Sequence, residues 1–262
     1  MKVRKMNFVD HHGRTTAYRH VQPDAAGPTV LYVHGSGGTH EIWAAQCSPR
    51  GPVHPAVAID LSGHGASDDI ETSLGPATMA AYAEDVVAVA RATGASVLVG
   101  NSLGGAVVQT IALDGDLDPA GLVLVGTGAK LAVIEELRDY LDTDFDRAVA
   151  FLHGPDMFLH DAAAEKVEGS KAGLRQTGQA VTRRDFLSCH TFDVRDRLEE
   201  IDVPTLALVG DHDRLTPVAY HEYFAEHIPD CELAVIDGAA HLVMIERAGA
   251  FNDRLGSFVH DL

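Results

Sequence analysis

The chain has 262 residues, 46% of them hydrophobic, and its 38 acidic side chains against 20 lysines and arginines give a formal net charge of −18. That length suits one large α/β domain with a generous core, and the absence of a Pro/Ser-rich linker argues against two independent ones. A surface this acidic disfavours nucleic acid and anionic membranes as partners, and with lysine scarce it also fits adaptation to high salt.

The first ten residues carry charges but no apolar leader core, and no stretch approaches about eighteen uninterrupted apolar residues. A soluble, cytoplasmic protein with no membrane span is therefore expected. Cys47, Cys189 and Cys231 are odd in number and widely spaced, so free thiols are expected rather than disulfides or a metal site.

Lys5 to Val9 and Thr16 to Val21 flank a turn at His12-Gly13 and predict a β-hairpin. Beyond it the pattern changes to short, nearly continuous apolar runs: Val30 to Val33, Val57 to Ile59, Val97 to Val99, Leu122 to Val125, Leu206 to Val209 and Leu233 to Ile236. Such runs predict strands buried on both faces of a parallel sheet. Helical patterns follow at Met79 to Ala92, Ala106 to Leu113, Val218 to Ile228 and Ala248 to Val259. The expected class is α/β, a mostly parallel central sheet with helices on both faces.

The connection from Gly126 to Thr205 is too long for a simple crossover and holds helical patterns at Val133 to Leu141 and Arg147 to Leu152. Ligands of open α/β sheets bind at the carboxyl ends of strands, where this connection leaves the sheet. The expected organisation is a core of residues 1–125 and 196–262 with a helical cap inserted at 126–195.

The chemistry starts at Gly100-Asn101-Ser102-Leu103-Gly104, a Gly-Xaa-Ser-Xaa-Gly between an apolar strand and a buried helix. That context places Ser102 on a tight strand-to-helix turn as a candidate nucleophile, and the bland alternative is a helix-capping serine. A serine hydroxyl needs a base, and the base an orienting group. Asp211 and Asp213 lie in the loop after the strand ending at Val209, and His241 in the loop after the strand ending at Ile236. Loops leaving parallel strands at their carboxyl ends share one edge, where these groups can converge with Ser102.

These motifs resemble the α/β-hydrolase superfamily, in particular its compact carboxylesterases and lipases with a helical cap. His34-Gly35-Ser36-Gly37-Gly38 resembles the family's oxyanion loop, and Asp60-Leu61-Ser62-Gly63-His64-Gly65 its following glycine-rich turn. The resemblance spans nearly the whole chain and implies a Ser102–His241–Asp213 triad; Asp213 is preferred to Asp211 because it stands three residues after Gly210, as the family's acid usually does. It further implies oxyanion donors at the backbone N–H groups of Ser36 and Leu103. Gly35, Gly37, His40 and Trp43 are the expected substrate-binding residues, with simple packing the alternative for the last two. His34 and His64, in glycine turns, read as structural. His153, Met157, Phe158 and His160 read as cap residues packed onto the main domain, with substrate contact the alternative. No cofactor and no metal are implied, and the substrate is a small-molecule ester.

The expected function is thus a serine carboxylesterase for small to medium acyl esters working through an acyl-enzyme. Asn101 before the serine resembles the meta-cleavage-product hydrolases that split carbon–carbon bonds, which is the enzymatic alternative. A hydrolase-like ligand receptor is the non-enzymatic one.

Overall fold

A computed structural model describes residues 5–48 and 54–262; the first four positions of the stretch read for a leader lie outside the described residues. The strands are β1 (Asn7–His11), β2 (Arg14–Val21), β3 (Thr29–Val33), β4 (Ala56–Ile59), β5 (Ala95–Asn101), β6 (Gly121–Val125), β7 (Thr205–Gly210) and β8 (Cys231–Ile236). They form one sheet in the order β1-β2-β4-β3-β5-β6-β7-β8. β1 and β2 pair antiparallel around the two-residue turn His12-Gly13, and β2 pairs antiparallel with β4. Every later pairing is parallel.

Alternate strand residues feed two separate cores. Val30, Tyr32, Val97, Val99, Val123 and Val125 face one side of the sheet. Leu31, Val33, Leu98, Leu122 and Leu124 face the other. That division explains runs with no polar alternation. The helices α1 (Pro76–Thr93), α2 (Leu103–Asp114) and α7 (Val218–His227) cover the second face, and α9 (Ala248–Asp261) packs on the first. The expectation of two-sided burial fails for β8: it is the sheet edge, and Val235 is 42% exposed. An edge strand has no further strand and fewer helices to cover it.

Between β6 and β7 lie four helices, α3 (Glu135–Thr143), α4 (Phe145–Leu152), α5 (Ala164–Thr177) and α6 (Gln179–His190). The first pair matches the helical patterns expected there. α5 and α6 carry too weak an apolar stripe to be read from the sequence. The short α8 (Val243–Glu246) follows the His241 loop. Among the described residues no helix is long and apolar enough to cross a membrane, and none of the three cysteines takes part in a disulfide.

Candidate active site

β5 passes into α2 through one residue, Ser102, whose φ of 53° and ψ of −114° are unusual for a residue with a side chain. Two close approaches hold this turn. A Cβ on Gly100 would lie 2.2 Å from the Gly104 carbonyl oxygen, and one on Gly104 would lie 2.4 Å from that of Val33. The Ser102 N–H donates to Val125 (3.0 Å), and the Thr127 hydroxyl donates to the Ser102 carbonyl (2.8 Å). Ser102 stands at the N-cap position of α2, yet its side chain makes no capping bond. The hydroxyl is therefore left for other partners.

His241 is 3% exposed, and its Nδ1 lies 2.9 Å from Asp213 Oδ2. The Thr216 hydroxyl donates to the same carboxylate oxygen (2.8 Å), while Oδ1 accepts the N–H groups of Leu215 and Thr216 (2.8 and 2.9 Å). Burial alone would raise the Asp213 pKa, but the His241 charge and these hydrogen bonds hold the carboxyl below its usual range. Nδ1 is thus engaged by Asp213, and Nε2 has no hydrogen-bond partner among the described residues. Asp211 points elsewhere: its Oδ1 accepts the N–H groups of Gly238 and Ala239 (2.7 and 3.3 Å), tying the acid loop to the His241 loop.

Ser102, His241, Ser36 and Phe186 line both of two adjoining cavities, of about 320 and 250 Å³. Ser102 and His241 share no direct hydrogen bond; bonds between a nucleophile and its base commonly tighten only in the substrate complex. The Asn101 amide, 1% exposed, donates to the carbonyls of Val125 (3.2 Å) and His241 (3.4 Å) and so fastens the serine turn to the histidine loop.

Two backbone N–H groups belong to residues at or next to this space, since Ser36 lines both cavities and Leu103 follows Ser102 in the chain. The Leu103 N–H opens α2 and has no intrahelical acceptor, as at any helix start. The Ser36 N–H has no acceptor among the described residues, and its hydroxyl lies 3.8 Å from the Cys189 thiol rather than on neighbouring backbone. Gly35 and Gly37 line the larger cavity with it.

The placement of His40 and Trp43 corrects the sequence reading. His40 Nδ1 lies 2.9 Å from buried Asp60, which also accepts the His40 N–H at 2.8 Å. Trp43 is fully buried between Tyr32 and Phe251, at ring separations of 5.0 and 6.0 Å. Neither residue lines either cavity. The short 3₁₀ turn His40–Trp43 rotates Trp43 into the core and leaves the half-buried His40 on Asp60, while Thr39, Glu41 and Ile42 reach the cavity. Met157 and Phe158, read as packing residues, line the cavities, and the Phe158 ring stacks on His241 at 5.8 Å.

Sequence reasoning missed Asp185, on α6. It is fully buried; its Oδ2 accepts the Gly37 N–H (2.8 Å) and the His64 Nε2–H (2.9 Å), and its Oδ1 accepts the Tyr82 hydroxyl (2.6 Å). Burial opposes charge on both partners, yet each charge offsets that cost for the other: the His64 pKa is raised and that of Asp185 lowered. A second bond, from the Thr177 hydroxyl to the Gly37 carbonyl (2.8 Å), completes the attachment of the inserted helices to the Ser36 loop. His34 stays neutral: burial pushes its pKa down to about 4, Nδ1–H donates to Gly35, and Nε2 accepts the Leu61 N–H.

The alpha/beta hydrolase family profile matches residues 30–254. The chain belongs to the alpha/beta hydrolase family. A thermophilic esterase of known structure is 33% identical, with a TM-score of 0.87 over 98% of each chain. Est816, described as an N-acyl homoserine lactone degrading enzyme, is 26% identical with a TM-score of 0.83, covering 96% of this chain and 100% of that one. RutD of Agrobacterium fabrum, a candidate carbamate hydrolase, is 29% identical over 95% of this chain and 96% of its own.

Proposed function

We propose that this alpha/beta hydrolase is a serine carboxylesterase for small to medium acyl esters, with Ser102 as nucleophile, His241 as base and Asp213 as its orienting acid. In this reading His241 Nε2 takes the Ser102 proton as Oγ attacks the ester carbonyl. The resulting oxyanion is held by the N–H groups of Ser36 and Leu103, each contributing roughly 3 kcal/mol of transition-state stabilisation. The protonated imidazole then delivers its proton to the departing alcohol, leaving an acyl-serine that water, deprotonated by the same histidine, hydrolyses. The helices of residues 126–195 act as the cap that walls the acyl group from solvent.

The observation that carries this reading is the 2.9 Å Asp213–His241 bond at the edge of cavities that also hold Ser102 on its strained turn. The esterase likeness over almost the entire chain supports the ester bond as the target. The Asn101 amide, which prompted comparison with carbon–carbon hydrolases, bonds to backbone carbonyls.

The test is turnover of p-nitrophenyl esters of increasing acyl length by the wild type and by Ser102→Ala. Hydrolysis by the wild type that disappears in the variant supports the serine esterase, and the length profile sizes the acyl pocket. No turnover of any ester would transfer the reading to the carbon–carbon hydrolase or the receptor.

A further inference from the structure

Outside the Ser102 cavities, Asp156, His160 and His212 bring one carboxylate oxygen and two ring nitrogens within 4.8 Å of one another. They come from two segments. Asp156 and His160 stand in the connection between α4 and α5, and His212 in the loop after β7, one residue before Asp213.

We propose that these three side chains form a binding site for one divalent ion of the zinc, nickel or cobalt type. The backbones that carry them are pinned. Asp156 accepts the Arg214 N–H at 3.1 Å, the His160 N–H donates to Glu246 Oε1 at 2.7 Å, and the His212 N–H donates to the Ala239 carbonyl at 2.9 Å. Asp156 adopts a left-handed φ of 59°, uncommon for a residue with a side chain. Its Oδ1 lies 2.7 Å from His160 Nδ1. The His160 and His212 rings stack at 3.6 Å with a 12° interplanar angle, which sets their nitrogens side by side.

The donor set selects the ion. Two imidazoles and one carboxylate suit zinc, cobalt, nickel or copper, whereas magnesium and calcium prefer all-oxygen sites. Three protein ligands leave a position for water. Bonds of about 2.0–2.1 Å bring ligand atoms to within roughly 3.4 Å of one another, so binding requires the two rings to turn out of their stack toward the carboxylate. An ion bound at His160 Nδ1 takes the place of the proton shared with Asp156: in a neutral ring that proton is carried on Nε2 instead, and from a protonated ring one proton goes to solvent. Asp211 Oδ2, 3.8 Å from His212 Nε2, lies beyond hydrogen-bonding distance but adds a further negative charge beside that ring. The net charge of −18 further concentrates cations at the surface.

An ion here ties the cavity-lining segment Met157–Phe158 to the loop that carries Asp213. Its existence does not depend on which bond the enzyme cleaves.

Metal-free protein titrated with Zn²⁺ and with Ni²⁺ in a calorimeter tests the site. One ion per chain is expected in the wild type, with affinity weakened at least about tenfold in both His160→Gln and His212→Gln. Melting temperature in EDTA checks that the variants are folded. Should either be unfolded, Zn²⁺ must still protect His160 and His212 of the wild type from diethyl pyrocarbonate. No uptake, undiminished uptake by both variants, or absence of that protection would overturn the proposal.

Discussion

The carboxylate of Asp213 meets His241 Nδ1 at 2.9 Å, whereas Asp211, two residues earlier in the same loop, binds the N–H groups of Gly238 and Ala239. The two acids therefore separate by experiment. Asp213→Asn is expected to lower kcat by about 10⁴, because the amide offers the histidine the wrong tautomer. Asp211→Asn should leave kcat within a few-fold and cost on the order of 1 kcal/mol of stability through weakened bonds between the loops. Steady-state kinetics and urea denaturation of both variants check this, and the reverse ranking would assign the orienting role to Asp211.

The buried Asp185–His64 pair couples the inserted helices to the loop that presents the Ser36 N–H. Removing one partner leaves the other charged and dry. Asp185→Asn is expected to cost about 3–5 kcal/mol and to lower kcat more than it changes KM, since Gly37 loses its anchor. Adding His64→Gln should restore part of the stability but not of kcat. A double-mutant cycle by denaturation and kinetics reads both quantities, and equal recovery of the two would reduce the pair to a purely structural role.

Gly169 and Gly173 sit one turn apart in α5, line the larger cavity, and have nothing within 4 Å of an added Cβ. A mid-helix glycine is about 1 kcal/mol less favourable than alanine. Gly173→Ala should therefore raise the melting temperature, while Gly173→Leu should fill the cavity and lower kcat/KM for long acyl esters relative to short ones. An unchanged length profile for the leucine variant would remove α5 from the acyl wall.

His221 is fully buried, accepts the Thr127 N–H on Nε2, and has its pKa pushed by burial from 6.5 down to about 4. The unfolded chain takes up its proton first on acidification. Its contribution is therefore complete above pH 6.5 and is lost at roughly 1.4 kcal/mol per pH unit as pH falls from there toward 4. His34, with the same depressed value, adds a parallel loss. His64 has the opposite sign: its raised pKa contributes stability that is present below 6.5 and lost as pH rises through its folded value. Stability should peak near pH 6.5, and His221→Gln should flatten the acid limb by about one proton. An acid limb of unchanged slope in that variant would contradict the assignment.

Much of this molecule is written in short-range patterns. Continuous apolar runs are demanded wherever a strand is covered on both faces, so β3 to β7 were readable within a residue or two of their ends. Gly100 and Gly104 were readable because backbone passes where their side chains would stand. The His12-Gly13 turn was equally local, and so was the order of the loops that bring Ser102, Asp213 and His241 to one edge.

Other features had no local signature. Asp185 lies 148 positions from Gly37 and looks in sequence like any acidic residue on a polar helix. An aromatic side chain one turn beyond a glycine loop reads the same whether it lines a cavity or, like Trp43, packs beneath it. The edge position of β8 depends on strand order, and the meeting of His160 with His212 on the packing of the α4–α5 connection against the sheet. The sequence by itself determined the strands, the tight turns and the candidate catalytic residue types, because backbone sterics and burial act between neighbours. Only the tertiary structure decided which buried charges pair and which side chains wall the cavity, because those contacts join segments whose separation along the chain carries no periodic signal.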